Sequence, residues 1–161
     1  MTTFAAIDFE TADNGRDSAC AVAVARVRGN RIAETYYQLI RPPRQDFLHT
    51  RIHGLSWEDV RTSPTFRDMW PELRDFIADS EFLVAHNAPF DRSVLYQCCE
   101  VAMIEPPNHE FRCTLQLARA TWNLASSSLP SVCNHLGIPL KHHDALSDAE
   151  ACARIAIAAS V

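Results

Sequence analysis

Two acidic residues stand close together near the beginning of the chain, inside an apolar run. Asp8 and Glu10 lie in the segment Phe4-Ala5-Ala6-Ile7-Asp8-Phe9-Glu10. Because side chains alternate between the two faces of a strand, both carboxylates point to one face and Phe9 points to the other. Two acids on one face of a buried strand repel each other unless a cation lies between them. The pair therefore predicts a divalent metal site.

Two further acidic residues each lie in the first turn of a predicted helix. Asp91 follows a short apolar run, and Asp148 opens the last helical segment. The helix dipole favours an acid at this position, so a capping role explains either residue taken alone. However, Asp148 shares a helix face with Cys152, Ile155 and Ala159, and an unpaired carboxylate on an apolar stripe is costly. For Asp148 a functional role is therefore as good an interpretation as capping.

The fifth candidate is His143, five residues before Asp148. A continuous helix would place it about 140° around the axis from Asp148, so we expect it on the loop that leads into the helix. From there its ring can reach the end of the sheet near Asp148. The chain has seven histidines, and the neighbouring His142 is an obvious rival at this point.

Together these groups are the equipment of two-metal phosphodiester hydrolysis. Two Mg²⁺ or Mn²⁺ ions, roughly 4 Å apart, can hold a phosphate and stabilise both the attacking and the leaving oxygen. Such ions prefer oxygen ligands, and a histidine with a pKa near neutrality can take a proton from the attacking water. The predicted catalytic set is Asp8, Glu10, Asp91, His143 and Asp148.

The elements that must position this set follow an α/β pattern. A Gly29-Asn30 turn indicates an antiparallel hairpin between the second and third strands, and later strands alternate with helices. This order predicts a mixed sheet with helices on both faces and a crevice at the ends of its strands. The predicted strands are Phe4–Phe9, Ala19–Val27, Arg31–Ile40, Phe82–His86 and Phe111–Cys113.

Capping and breaker residues set the expected helices. Ser56–Asp59 resembles a capping box that opens a short helix, and a polar connection is expected between Arg41 and Gly54. Pro64 is expected in the first turn of the next helix, and Pro89 opens the one after it. The predicted longer helices are Thr65–Ala78, the segment opened by Pro89, Thr114–Thr121, Leu129–Leu136 and Ser147–Ala159.

Length and charge limit the classes of function. A chain of 161 residues suits a single domain, here residues 1–161. The net charge of −5 argues against broad electrostatic binding of nucleic acid, which usually needs a basic surface. Any contact with nucleic acid is therefore expected to be short, local or mediated by metal ions.

The cysteines and the N-terminus predict a cytoplasmic location. Six cysteines show no C-x-x-C spacing, and the first residues lack the basic region of a secretory leader. No apolar stretch approaches the roughly 20 residues that span a bilayer. A zinc site built on Cys133-Asn134-His135 and His142-His143 is conceivable, but the spacing fits no standard pattern.

Three segments carry a resemblance to a known family. Asp8-Phe9-Glu10-Thr11 resembles the motif D-x-E-T, and His86-Asn87-Ala88-Pro89-Phe90-Asp91 is similar to H-N-x-x-F-D. His143-Asp144-Ala145-Leu146-Ser147-Asp148 matches H-x-A-x-x-D. These are the motifs of the DEDDh (DnaQ-like) 3′–5′ exonucleases, a family that includes the proofreading epsilon subunit of bacterial DNA polymerase III. Their order and separations cover essentially the whole chain.

The resemblance implies a fold and a role for each residue. It implies a ribonuclease H-like, mixed five-stranded sheet with an N-terminal antiparallel hairpin. Asp8, Glu10 and Asp148 would ligate the first of two Mg²⁺ or Mn²⁺ ions, Asp8 would bridge to the second, and Asp91 would help through water. His143 would be the general base. Thr11 and His53, the latter in an Ile-His-Gly-Leu segment, would bind the terminal nucleotide.

The expected activity is metal-dependent release of nucleoside 5′-monophosphates from single-stranded or frayed 3′ ends. DNA is favoured and RNA is an alternative, and the resemblance allows contact with a polymerase subunit. Two other interpretations stay open: a non-catalytic, polymerase-associated module that binds nucleic acid, and a metal-dependent hydrolase of another small phosphoester.

Overall fold

Five strands form a single mixed sheet in the computed structural model, which describes residues 1–161. The central strand β1 pairs antiparallel with β2 and parallel with β4. The order across the sheet is β3-β2-β1-β4-β5, which confirms the predicted α/β class and its N-terminal hairpin. The strands are β1 (Thr3–Thr11), β2 (Ala19–Arg28), β3 (Arg31–Leu39), β4 (Phe82–Ala85) and β5 (Glu110–Cys113).

The hairpin between β2 and β3 turns at the two residues that the sequence indicates. Gly29 and Asn30 have φ values of 53° and 64°, so both central residues are left-handed. Turns of this kind match the right-handed twist of the flanking strands. Arg28 therefore pairs directly with Arg31 at the top of the ladder.

Seven helices complete the fold, and most begin and end where the sequence predicts. The short α1 is an exception, because it occupies the segment expected to be a polar connection. The helices are α1 (Thr50–His53), α2 (Trp57–Val60), α3 (Phe66–Ile77), α4 (Ala88–Val101), α5 (Thr114–Thr121), α6 (Leu129–Leu136) and α7 (Ala145–Ala158).

Two helix starts differ from the prediction, each because of a capping side chain. Pro64 lies before α3 instead of in its first turn, since Thr65 is the N-cap and its hydroxyl accepts a hydrogen bond from the backbone N–H of Asp68. The last helix, α7, begins before Ser147 because Asp144 is the N-cap. The carboxylate of Asp144 accepts from the N–H of Ser147 at 3.0 Å.

The sheet buries both of its faces. Ile7 and Phe9 pack with α3 and α4 on one face, whereas Phe4 and Ala6 pack against α7 on the other. Helices α5 and α6 pack on the outer side of α7. The side chains of Asp8 and Glu10 point to the same face as those of Phe4 and Ala6 and lie nearer the C-terminal end of β1. The expected placement of helices on both faces is confirmed.

All six cysteines are free. Burial raises the pKa of the Cys20, Cys98 and Cys99 thiols to about 12, so none of these three is an activated thiolate. None of the helices combines the length and the apolar character that a membrane crossing requires.

Candidate active site

Three carboxylates converge at the end of β1. One oxygen from each of Asp8, Glu10 and Asp148 lies within 4.8 Å of the other two. Glu10 is 9% exposed and Asp148 is 4% exposed, so solvent screens them little. The oxygen Oδ2 of Asp8 is buried and has no hydrogen-bond partner. We call Asp8, Glu10 and Asp148 the carboxylate triad.

The triad is electrostatically unfavourable without a cation. Burial raises the pKa of Asp8 well above its usual range, and the carboxylates of Asp91 and Glu10 raise it further. Burial, followed by repulsion from Asp148 and Asp91, raises the pKa of Glu10 to about 8. A divalent cation would replace the protons that these acids otherwise hold, and it would give the orphaned Asp8 oxygen a partner. The residues present therefore fit a divalent metal site.

Asp91 connects α4 to β1 instead of capping its own helix. Its Oδ1 accepts a hydrogen bond from the backbone N–H of Phe9 at 2.9 Å. Asn87, with a left-handed φ of 69°, occupies the N-cap position of α4 and turns the chain so that Asp91 points towards the strand. Burial raises the pKa of Asp91 to about 7, although the hydrogen bond from Phe9 opposes this shift.

Asp148 is held from the loop that precedes α7. Its Oδ2 accepts from the backbone N–H of His143 at 3.0 Å and lies 3.2 Å from Nδ1 of His142. Since Asp144 caps α7, capping does not explain the presence of Asp148. Burial raises the pKa of Asp148, while the contact with His142 lowers it.

Two histidines, and not one, lie beside Asp148. His143 is on the loop before α7, as predicted, and its φ of 65° is left-handed. The rings of His142 and His143 stack with centroids 3.7 Å apart. Burial and the neighbouring His142 lower the pKa of His143. Because only the ring of His142 is within hydrogen-bond distance of Asp148, the choice of His143 as the base stays a prediction.

The residues predicted to bind substrate form a hydrogen-bonded unit. His53 donates from Nε2 to the carbonyl of Thr11 at 2.9 Å and accepts from the N–H of Leu55 at Nδ1 at 3.0 Å. Both ring nitrogens are therefore occupied, and only the ring face is available to a ligand. The hydroxyl of Thr11 is 3.1 Å from Nδ1 of His49, a residue that sequence reasoning missed. The sequence gives His49 no distinguishing signal.

His86, the first residue of the second motif, forms hydrogen bonds that position one wall of the site. Its Nε2 donates to the carbonyl of Ser127, and its Nδ1 accepts from the hydroxyl of Thr114, both at 2.9 Å. A carbonyl can only accept, so these partners fix the neutral tautomer of the ring. The contact with Ser127 positions the start of α6, where Leu129 lines the site.

These groups line one cleft of about 290 Å³. The cleft contains every residue that the sequence predicts for the site. Phe90 lies on its wall, with the Arg16 guanidinium 4.6 Å from the ring centroid. The predicted residues in the lining are Asp8, Glu10, Thr11, His53, Asp91, His143 and Asp148, and the apolar residues are Phe9, Ile52, Phe90 and Leu129.

Comparisons with known proteins identify relatives of this chain. The sequence profile of the RNase_T family, described as exonuclease, matches residues 5–156. A PolC-type DNA polymerase III from Thermotoga maritima is 33% identical over 157 residues, which cover 95% of this chain and 11% of the relative. The epsilon subunit of DNA polymerase III from Pasteurella multocida is 31% identical over 138 residues, which cover 81% of this chain and 52% of the relative. The chain thus spans about a tenth of the first relative and about half of the second.

Solved structures share the same fold. The nuclease domain of 3′hExo, a DEDDh family member bound to rAMP, matches with a TM-score of 0.82 and 18% identity over 97% of this chain and 90% of that chain. Exonuclease X in complex with 5′ overhanging duplex DNA matches with a TM-score of 0.74 and 24% identity over 98% of this chain and 89% of that chain. The ribonuclease H-like, five-stranded architecture predicted from the motifs is confirmed.

Proposed function

This chain belongs to the exonuclease family, and from that premise we propose that it hydrolyses the terminal phosphodiester bond at the 3′ end of nucleic acid. The observation that carries the proposal is the carboxylate triad with its orphaned Asp8 oxygen. A binding module has no need for three convergent acids with little exposure to solvent, which repel each other when no cation is present. A metal-dependent hydrolase needs this arrangement.

The carboxylate triad would hold the first of two divalent ions. Asp8 would be shared with the second ion, and Asp91 would contribute through water. When bound, two Mg²⁺ or Mn²⁺ ions neutralise the acids and stabilise the charge that develops on the phosphate oxygens. The backbone N–H groups of Phe9 and His143 fix the carboxylates of Asp91 and Asp148 in position for this task.

His143 would accept the proton from the attacking water. Its lowered pKa keeps the ring neutral at physiological pH, so a lone pair is available for that proton. Its ring, on the loop beside Asp148, belongs to the lining of the cleft. The product would be a nucleoside 5′-monophosphate.

The size of the cleft favours one terminal nucleotide. A volume of about 290 Å³ is near the lower end of ligand pockets, which span roughly 300–1,000 Å³. The apolar side chains of Ile52, Phe90 and Leu129 offer surfaces for a base, while Thr11 and the ring face of His53 would contact the same nucleotide. An unpaired or frayed end enters such a space more easily than an intact duplex. Polymerase III relatives make DNA the favoured substrate.

We also propose a domain organisation, a cellular location and a partner for this chain. The whole of residues 1–161 would act as a single exonuclease domain, in the cytoplasm, where six free thiols stay reduced. Because two relatives are components of DNA polymerase III, contact with a polymerase is also proposed. Co-elution of the chain with a polymerase III core in gel filtration would test that contact.

A labelled-oligonucleotide assay tests the activity. With a 5′ label the products should shorten progressively from the 3′ end, and with a 3′ label the first product should be a mononucleotide. The assay compares DNA with RNA, single strands with duplexes, and Mg²⁺ with Mn²⁺. Degradation from the 5′ end, or no degradation under any of these conditions, would contradict the proposal.

Two variants connect the activity to the site. Asp8→Asn keeps the shape of the side chain but removes the charge, so we expect loss of metal-dependent product release. Asp46→Asn removes one exposed carboxylate outside the cleft and should retain the wild-type rate. A wild-type rate in Asp8→Asn would mean that the carboxylate triad is not the catalytic centre.

A further inference from the structure

We propose that His142, His143 and Asp148 form an additional metal site, suited to Zn²⁺ and different from the site of the two catalytic ions. Its occupation would inhibit the enzyme. One ligand atom from each of these residues lies within 4.8 Å of the other two. Binding of zinc there is independent of the proposed function, and only its inhibitory effect rests on that function. We call these residues the histidine site.

The distances suit a small tetrahedral ion. Zinc binds imidazole nitrogen and carboxylate oxygen at about 2.0–2.2 Å, so two ligands of a tetrahedral ion are roughly 3.4 Å apart. In this structure Nδ1 of His142 is 3.3 Å from Oδ1 and 3.2 Å from Oδ2 of Asp148. The nitrogen and the carboxylate are therefore already spaced as two ligands of one such ion.

The donor set distinguishes the two sites chemically. Imidazole suits Zn²⁺, whereas an all-carboxylate set suits Mg²⁺ and Mn²⁺. The histidine site offers two imidazoles and one carboxylate, and three protein ligands leave a fourth position for water. The carboxylate triad offers oxygen ligands alone.

The surroundings also favour binding at the histidine site. The side chain of His142 is 37% exposed, so an ion can reach it from solvent. The backbone N–H of His143 already donates to Oδ2 of Asp148 at 3.0 Å, which orients the carboxylate and leaves Oδ1 for a metal. Because the rings of His142 and His143 stack with centroids 3.7 Å apart, one of them would rotate about its side-chain bonds to turn its nitrogen towards a shared ion.

The remaining residues of the zinc site that the sequence suggested do not join this cluster. Cys133 is 2% exposed and packs between α6 and α7. His135 is exposed on α6, with its ring centroid 6.2 Å from that of Trp122. Of the five residues in the zinc site that the sequence suggested, only His142 and His143 belong to this cluster. Asp148, which that suggestion did not include, joins them.

Inhibition follows because Asp148 belongs to both sites. An ion at the histidine site takes the carboxylate that the carboxylate triad needs for its own metal. It also takes the lone pair that His143 would use to accept a proton. Zinc should therefore reduce a rate supported by Mg²⁺, and excess Mg²⁺ should restore it by competing for Asp148.

Binding is tested with zinc alone, by competition against a chromophoric chelator. His142→Ala should weaken Zn²⁺ binding by at least about tenfold, since the loss of an outer-sphere partner alone typically has that effect. Asp8→Asn, which disrupts only the carboxylate triad, should bind Zn²⁺ as tightly as the wild type. His135→Ala removes an exposed imidazole elsewhere and controls for surface binding. Wild-type affinity in His142→Ala, or loss of zinc binding in Asp8→Asn, would overturn the site.

A second measurement separates this proposal from the proposed function. The rate of oligonucleotide degradation in Mg²⁺ is measured against Zn²⁺ concentration, and each variant is compared with its own zinc-free rate. His142→Ala should need at least about tenfold more Zn²⁺ than the wild type for the same fractional inhibition. Tight zinc binding without any nuclease activity would refute the proposed function but not the site. Nuclease activity that His142→Ala leaves equally zinc-sensitive would refute the site but not the function.

Discussion

Replacing Asp8 with Asn should stabilise the metal-free protein, even though the same change should abolish activity. Asp8 faces the carboxylates of Glu10, Asp91 and Asp148, and its Oδ2 has no hydrogen-bond partner. Without a cation, each of these acids disfavours ionisation of the others. An amide at position 8 removes one charge, and its N–H₂ group can donate to a neighbouring carboxylate.

Glu10, in the same cluster of acids, shows the scale of such an effect. A carboxyl group with a higher pKa in the folded than in the unfolded state binds its proton more tightly when folded. Protonation of Glu10 therefore stabilises the folded state fully below its ordinary pKa of 4.5, and this stabilisation is lost as the pH rises to about 8. At roughly 1.4 kcal/mol for each pH unit between the two pKa values, this loss approaches about 5 kcal/mol.

Asparagine at position 8 removes the corresponding titration of Asp8 itself. Burial, followed by the carboxylates of Asp91 and Glu10, raises the pKa of Asp8, so its ionisation also opposes folding as the pH rises. The amide still loses its hydration on burial, which offsets part of the gain. We therefore expect Asp8→Asn to gain about 1–2 kcal/mol near pH 8, which corresponds to roughly 2–8 °C in Tm for a chain of this size. At about pH 5 the acids hold their protons in the wild type, so the gain should become small.

Thermal unfolding followed by circular dichroism, in a metal chelator at both pH values, measures the effect. Asp46→Asn is the matched control, because both variants change the net charge of −5 by the same amount. Added Mn²⁺ should stabilise the wild type more than Asp8→Asn, since the variant lacks one ligand. If Asp8→Asn is less stable than Asp46→Asn near pH 8 in chelator, mutual repulsion does not govern the site and the reasoning fails.

The other predictions concern single side chains. Activity should fall as the pH drops through a value below 6.5, because a base must be unprotonated and burial lowers the pKa of His143. A pH–rate profile measures this fall on the acidic side. His143→Asn should lower kcat by about 10²–10⁴-fold. His86→Phe leaves two hydrogen-bond partners unsatisfied, so urea unfolding should show a loss of about 1–3 kcal/mol, and KM should rise as the start of α6 loosens. Arg44→Gln removes ion pairs with Asp13 and Asp17 at the surface, so stability should fall by at most about 1 kcal/mol at low ionic strength, and less at high ionic strength.

Much of the site could be predicted because it depends on short-range geometry. The alternation of a strand is enough to place Asp8 and Glu10 on one face and Phe9 on the other. The bounds of α5 and α6 match the prediction, and Gly137 ends α6 with a left-handed φ of 67° as expected for a helix stop. The position of a residue along a single helix or strand could therefore be predicted without knowledge of the rest of the chain.

Competition between capping residues could not be read in the same way. Both Asp144 and Ser147 are good N-cap residues, and the sequence favours neither. In the structure the hydroxyl of Ser147 accepts from the backbone N–H of Lys141 at 2.8 Å, so it is not free to cap. Asp144 takes that role, and α7 begins earlier than predicted. The four-residue α1 was missed because one turn carries too little periodicity to be recognised.

The arrangement of the two histidines also lies beyond sequence. The left-handed φ of 65° at His143 turns the chain so that two consecutive rings stack and both approach Asp148. A non-glycine residue rarely adopts this conformation, and histidine, although enriched in it, adopts it too seldom for the sequence to predict it. Sequence reasoning therefore treated His142 as a rival to His143, whereas the structure gives both rings a place beside the same carboxylate.

Three unfavourable features of this fold meet in one cleft. The left-handed backbone of His143, the orphaned Asp8 oxygen and the raised pKa of Glu10 all occur within the same cleft, while β1 and α7 around them are packed and apolar. A residue at a positive φ alone costs of order 1–3 kcal/mol and persists only where surrounding structure holds it. Strain and repulsion of this kind are expected at a site where a bound ligand compensates for them. A divalent ion at the carboxylate triad would remove the repulsion without altering the packed core, so metal binding should couple stability to activity through the same three carboxylates.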